Sequence, residues 1–185
     1  MLVLTPTWAK LFFYLFINLL LEDSIHPDEA YSLQDLFLKI PELETYIYFL
    51  SDLDSNYYQD KRFNRDKKMS DENSCWIDGS GLSSILKENN IEFTWGVLSA
   101  FKTNPHLSIS YLPYAEGNPT FWIGSPTPQI KDAEFEIVIW DCASMLFIGM
   151  SEIIASKIKI NFPMIKNLDE ENRNRQHKPN RFKGN

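Results

Sequence analysis

A chain of 185 residues with 44% hydrophobic and 14% aromatic content can bury a core of its own, and its length fits a single domain. The net charge of −7 disfavours non-specific binding to nucleic acid, because phosphates repel an acidic surface, and it favours a cationic partner. Two cysteines, Cys75 and Cys142, make no disulfide framework and lack zinc-binding spacing. These properties predict a protein of the reducing cytosol.

The first third of the chain predicts three helices. Pro6 follows a threonine, as at many helix starts, and residues 8–20 carry apolar side chains at helical spacing on more than one face. Pro27 and Pro41 each precede acidic residues, which suit the positive end of a helix dipole. They predict a second helix and, over residues 43–53, a third. Together the three helices predict a compact helical layer.

Residues 11–21 form a nearly uninterrupted apolar run, similar to the hydrophobic region of a secretory signal. Glu22 and Asp23 follow where a cleavage site would need small residues, and the run is shorter than the ~20 residues that span a bilayer. We therefore interpret the run as a core helix and expect no membrane anchor. A membrane-associated accessory protein is the alternative, and it requires that this run contact lipid.

Residues 56–74 lose the hydrophobic period and mix aromatic with charged side chains, which predicts a surface loop. Asp78 and the glycines after it predict a turn, and a short helix should follow and end near Asn89. The chain then becomes rich in β-branched and aromatic residues between proline- and asparagine-containing loops, which predicts antiparallel strands. The predicted strands are residues 91–101, 107–112, 120–123, 135–140 and 145–148.

Ser151 predicts the cap of a last helix, which runs through Ile158 and packs on the sheet. The predicted fold is α+β: an N-terminal helical layer packed with a four- or five-stranded antiparallel sheet and a C-terminal helix. Residues 1–168 are expected to form one domain, and residues 169–185 a flexible basic tail. Within the domain, the helical part covers residues 5–55, the loop 56–74 and the sheet part 75–165.

No catalytic or cofactor motif stands out. His26, His106 and His177 are isolated, and no glycine-rich nucleotide loop or zinc-binding H-E-x-x-H pattern occurs, so we expect no metal and no cofactor. Cys142, His106 and Asp141 could be combined into a nucleophile, a base and an orienting acid. Neighbouring residues on a strand point to opposite faces, which argues against support of Cys142 by Asp141. A small hydrolase or transferase of unknown substrate remains the alternative.

Recognition of another macromolecule is the function that the surface chemistry predicts. Interfaces favour aromatic anchors surrounded by polar groups, and such residues gather around the predicted loop. For Trp76, packing under the sheet is the competing interpretation. The residues that we expect to bind a partner are Asp52, Asp54, Tyr57, Tyr58, Asp60, Trp76 and Asp78.

Three short segments predict a strand, a second strand and the start of a helix. They are Phe135-Glu136-Ile137-Val138-Ile139-Trp140-Asp141, Phe147-Ile148-Gly149 and Ser151-Glu152-Ile153. This ending resembles small bacterial immunity proteins of toxin–immunity pairs, which also share its small size and acidic character. The resemblance implies a cytosolic, non-catalytic protein that neutralises a cognate toxin by covering its active site or an essential surface. A basic toxin would be steered to an acidic inhibitor.

Overall fold

A computed structural model describes residues 16–22, 31–55, 74–89, 91–103, 109 and 111–177. These residues combine helices with one open antiparallel sheet, so the predicted α+β class is confirmed. The sheet has seven strands rather than four or five, and its order is β3-β2-β4-β5-β6-β1-β7. The strands are β1 (Ile17–Glu22), β2 (Ile47–Ser55), β3 (Cys75–Asp78), β4 (Phe93–Phe101), β5 (Phe135–Trp140), β6 (Ser144–Met150) and β7 (Lys166–Asn167). The α-helices are α1 (Leu33–Lys39), α2 (Gly79–Glu88), α3 (Glu152–Asn161) and α4 (Leu168–His177).

One face of the sheet is covered by helices. Helices α1, α2 and α3 pack against side chains that alternate along the central strands, including Tyr48, Leu98, Ile137 and Phe147. Because successive residues of a strand point to opposite faces, these four side chains share the helical side. This is the larger part of the hydrophobic core.

The opposite face is covered mainly by irregular backbone. Residues 111–134, which we call the cover segment, lie over this face and contribute Phe121, while α4 contributes Leu168. Both side chains pack against apolar residues of the sheet such as Val138 and Leu146. Since both faces of the sheet are buried, its inner strands are apolar on nearly every residue.

The first predicted helix is wrong where the structure describes it. Residues 17–22 form strand β1, and residues 1–15 of that prediction lie outside the described residues. Strand β1 pairs with β6 and buries side chains on both faces, so its apolar run has no alternation. A strand of this kind and a buried helix have the same sequence signature.

The third predicted helix is also wrong. Pro41 does start a helical turn, but the turn is a single 3-10 helix, Pro41–Thr45, and strand β2 follows it. Strand β2 lies between β3 and β4, and its apolar residues pack on both faces of the sheet. The second predicted helix is present in part as α1, which begins after Ser32, where Ser32 and Asp35 form a capping box; its predicted start at Pro27 lies outside the described residues.

Most of the later predictions are confirmed: α2, β4, β5, β6 and α3 lie where the sequence places them, and Ser151 caps α3. Two predicted strands are wrong. Residues 120–123 fall largely in a 3-10 helix, Pro119–Trp122, whose start Asn118 caps. Residues 109, 111 and 112 are irregular, and the rest of the predicted strand 107–112 lies outside the described residues. Residues 56–73 of the predicted loop also lie outside the described residues.

The predicted tail contains helix α4, which begins at Leu168. The Asn167 side chain accepts a hydrogen bond from the Glu170 N–H at 3.0 Å, and three acids occupy the first turn. The buried Asn172 fixes the helix to the cover segment by donating to the carbonyls of Phe121 and Gly124, both at 3.0 Å. The prediction of a flexible tail from residue 169 is therefore wrong up to His177, where α4 ends. Residues 178–185 lie outside the described residues.

Buried Asn18 joins four parts of the fold. Its amide nitrogen donates to the Pro126 carbonyl and to the Asp169 carboxylate, both at 2.9 Å. Its oxygen accepts the Gly149 N–H at 2.8 Å, where β6 has a positive φ of 76°. One side chain thus ties β1 to β6, to the cover segment and to α4. Among the described helices, none is long and apolar enough to cross a membrane.

We expect Asn18→Ala to lower the free energy of unfolding by about 2–4 kcal/mol, because it leaves buried hydrogen-bonding groups at Pro126 and Gly149 unpaired. The matched control is Asn174→Ala, at an exposed position of α4, which should change stability by less than about 0.5 kcal/mol. Urea denaturation of both variants checks this. Equal stability of the two variants would contradict the role of Asn18.

Candidate binding surface

The cover segment is fixed to strand β2 by two side chains. The Ser51 hydroxyl donates to the Pro113 carbonyl at 2.8 Å. The carboxylate of Asp52 accepts the N–H groups of Ala115 at 2.7 Å and Glu116 at 2.9 Å. Asp52 has a positive φ of 52° within the irregular part of the β2–β4 pairing, which displaces it from the strand pattern. Residues 113–116 are therefore held directly on the sheet.

A second set of contacts closes the cover segment on itself. The Gln129 side chain accepts the Tyr114 N–H and donates to the Tyr114 carbonyl, both at 3.2 Å. The Tyr111 hydroxyl donates to the Gln129 carbonyl. The two tyrosines nevertheless remain partly in solvent, with 53% of Tyr111 and 46% of Tyr114 exposed. Tyr114 is thus anchored through its backbone and Tyr111 through its hydroxyl, while about half of each residue stays in solvent.

Trp76 lies on β3, the terminal strand of the described sheet, directly opposite Phe49 of β2. Its ring centroid is 5.0 Å from that of Phe49 and 5.3 Å from that of Phe101, and 40% of the residue is exposed. Leu112 of the cover segment packs into the same small cluster as Phe49 and Phe101. Trp76 therefore lies on the covered face of the sheet, the face that also carries Tyr111 and Tyr114. We call these three residues the aromatic surface.

The other predicted site residues that the structure describes, Asp52, Asp54 and Asp78, do not converge on one place. Asp78 caps α2 by accepting the Gly81 N–H at 2.7 Å, and hydrogen bonds from the Ser80 hydroxyl and then from Gly81 lower the pKa of its carboxyl. Asp78 pairs with Ile47 at one end of β2, whereas Asp54 is exposed near the other end. Asp52 has the structural contacts described above. The remaining three, Tyr57, Tyr58 and Asp60, lie outside the described residues.

The sequence interpretation missed Tyr111 and Tyr114. The residues around them were assigned to a strand and to a loop, and neither assignment indicated an outward-facing ring. A signal was available in Pro113 between the two tyrosines, because proline lacks the N–H that an inner strand needs. Proline is also common in turns and irregular connections, so the tyrosines near it need not follow the alternation of a strand.

A buried carboxyl supports the cover segment from below. Glu136 of β5 accepts the Ser99 hydroxyl at 2.9 Å and the Ile130 N–H at 3.2 Å. Its second oxygen is buried and has no hydrogen-bond partner in the described part of the chain. Burial raises the pKa of the Glu136 carboxyl, although hydrogen bonds from residues 129 and 130 and from Ser99 oppose this. The hydrogen bond from the Ile130 N–H explains why a carboxyl is buried at this position.

A cavity of about 370 Å³ lies beside the turn between β5 and β6. Its lining includes Tyr31, Gln34, Cys142 and Ser144. Asp141 and Cys142 both have positive φ in this turn, so the strand does not continue through them as the sequence argument assumed. His106 lies outside the described residues, and within the described ones no three His, Cys, Asp or Glu side chains form a metal-binding group.

The second thiol, Cys75, is an unsuitable nucleophile. Burial raises its pKa to about 11, so it stays protonated at neutral pH. Cys142, by contrast, is exposed at the cavity wall. A thiol in a cavity is compatible with covalent chemistry, but a nucleophile also needs a base within hydrogen-bond reach.

The chain matches no protein-family model, no curated protein and no solved structure. Its function is therefore argued from the geometry and the charge of its own surfaces.

We expect Glu136→Gln to change the pH dependence of stability. The pKa of the Glu136 carboxyl is raised in the folded protein above its usual 4.5. The protonated carboxyl therefore contributes fully to the free energy of unfolding below pH 4.5, and this contribution is lost as the pH rises through the folded pKa. In this window the wild-type protein should lose up to about 1.4 kcal/mol of unfolding free energy per pH unit relative to the variant. The control Glu134→Gln replaces an exposed neighbour and should follow the wild type. Parallel pH profiles for Glu136→Gln and wild type would contradict this reading.

Proposed function

We propose that the chain is a non-catalytic binding protein of the cytosol that acts as an immunity protein. It neutralises a cognate bacterial toxin by masking a basic surface or the active site of that toxin. The aromatic surface is the observation that carries this proposal. Three partly exposed rings lie on one face of a rigid sheet, and each ring or its backbone is anchored by described contacts.

The three residues have the chemistry of interface anchors. Tryptophan and tyrosine dominate binding hot spots because each buries a large area and loses little conformational freedom on binding. Trp76 is already restrained by Phe49 and Phe101, and Tyr114 by Gln129. These contacts restrain the Trp76 ring and the Tyr114 backbone, and the Tyr111 hydroxyl is held by the Gln129 carbonyl, so a partner that covers them would have less conformational freedom to restrict.

Charge supports a basic partner. Asp54 and Glu116 are exposed near the anchored stretch at residues 113–116, and the whole chain carries −7. Such a surface accelerates the approach of a cationic protein and competes with the phosphates that a nucleic-acid-directed toxin would bind. The resemblance of the strand–strand–helix ending to immunity proteins points to the same kind of partner.

We expect Trp76→Ala and Tyr114→Ala each to weaken binding of the toxin by about 2 kcal/mol or more, mainly through faster dissociation. The toxin is sought as the product of the neighbouring open reading frame, and binding is measured by calorimetry together with rescue of growth on co-expression. The matched control is Leu38→Ala, an exposed apolar residue of the helical layer, which should bind like wild type. If the wild-type protein neither binds the neighbouring gene product nor rescues growth, the proposal is removed.

A small hydrolase or transferase is the second candidate, and the exposed thiol of Cys142 in a cavity wall favours it. The immunity proposal predicts that Cys142→Ala keeps full biological activity, since the cavity beside Cys142 is lined by side chains of the helical side, such as Ile139 and Met145, whereas the aromatic surface lies on the other side of the sheet. Loss of activity in a variant that remains folded would instead support covalent chemistry. Circular dichroism of the variant separates this outcome from unfolding.

A further inference from the structure

The outer side of helix α3 carries two isoleucines in solvent. Ile153 is 72% exposed and Ile160 is 79% exposed, the highest values among the large apolar side chains that the structure describes. They are seven residues apart, so they lie on one side of the helix about 10 Å from each other. Ile154 and Ile158 of the same helix are buried and account for its packing on the sheet. The fold therefore does not need the two outer isoleucines.

Two further apolar residues are exposed near the C-terminal end of α3. Met164 follows the helix and is exposed, and Leu38 at the end of α1 is exposed as well. The two helices meet there, because the ammonium group of Lys39 is 4.8 Å from the ring centroid of Phe162. We call Leu38, Ile153, Ile160 and Met164 the helical patch.

We propose that the helical patch binds a second copy of this chain, with α3 packed antiparallel to α3 of the copy about a two-fold axis. A two-fold interface must be complementary to itself, and α3 has this property. Antiparallel pairing brings Ile153 of one helix against Ile160 of the other, and it does so twice. Ser156 lies between them on the same side, and its small side chain allows the helices to approach closely.

The charges on α3 support this arrangement. Glu152 and Lys159, both exposed, are seven residues apart and lie along one flank of the isoleucine stripe. In an antiparallel helix pair the equivalent flanks face each other, so Glu152 of one copy meets Lys159 of the other. Lys157 lies on the second flank, near the axis, where two equal charges would repel. Each Lys157 is already ion-paired with Glu42 of its own chain, which reduces that repulsion.

The size of the helical patch determines the strength of the dimer. Four apolar side chains per copy bury less area than a permanent dimer needs, so the association is weak and reversible. The patch lies on the helical side of the sheet, and the aromatic surface lies on the other side. Both aromatic surfaces stay accessible in the dimer, which could therefore hold two partners at once.

Sedimentation equilibrium over roughly a hundredfold range of concentration tests the proposal. The wild-type mass should rise toward that of two copies, and Ile160→Asp should weaken the association at least about tenfold. The matched control is Ile123→Asp, at an exposed isoleucine of the cover segment, which should dimerise like wild type. A wild-type protein that stays monomeric, or a dimer that only Ile123→Asp disrupts, would overturn the proposal.

Charge exchange tests the orientation of the helices. Glu152→Lys and Lys159→Glu should each weaken the dimer, and the double variant should recover most of the loss, because the pair is restored with its signs reversed. Failure of the double variant to recover would exclude antiparallel pairing. The variants alter exposed residues, and their circular dichroism verifies that they are folded.

Cross-linking tests the proposed dimer without a substitution that weakens it. In a Cys142→Ser background, Ser156→Cys should form disulfide-linked dimers under mild oxidation, since the two positions meet near the two-fold axis. Asn174→Cys, at an exposed site on α4, should cross-link far less. Equal cross-linking at both sites would show random collision and contradict the dimer.

Discussion

Polar side chains, most of them buried, hold the cover segment on the sheet, and the rest of the structure depends on them. Irregular backbone cannot satisfy its own hydrogen-bonding groups as a helix does, so every carbonyl and N–H turned toward the core needs a partner. Ser51, Asp52 and Glu136 provide partners from the sheet, while Asn18 and Asn172 provide them from β1 and α4. The apolar contacts of Phe121 add to this attachment.

This way of covering a sheet has a functional consequence. A helix on the same face would present its polar side to solvent, whereas the anchored cover segment turns Tyr111 and Tyr114 outward on a fixed backbone. Under the proposed function, binding relies on these held tyrosines instead of on a loop that must be ordered first. The helical side differs, because its two most exposed apolar residues, Ile153 and Ile160, lie on one side of a regular helix.

The sequence predicted the elements in which local and global preferences agree. Strands β4 to β6 and helices α2 and α3 have their turn and cap residues in place, including Asp78 and Ser151. Strands β1 and β2 were taken for helices because a strand buried on both faces loses the alternation that identifies it. Helix α4 was missed because its stability comes from Asn172 and from its caps rather than from an apolar stripe. The aromatic surface depends on long-range contacts such as that of Gln129 with Tyr114, which no local pattern encodes.

Amide hydrogen exchange at Ala115 and Glu116 tests the central claim most directly. Both N–H groups donate to Asp52, so we expect them to exchange with a protection approaching that of the inner strands, although they lie in irregular backbone. The same amides should lose most of that protection in Asp52→Ala while those of β5 keep theirs. Rapid exchange at both positions in the wild-type protein would contradict the claim that polar side chains of the sheet fix this face.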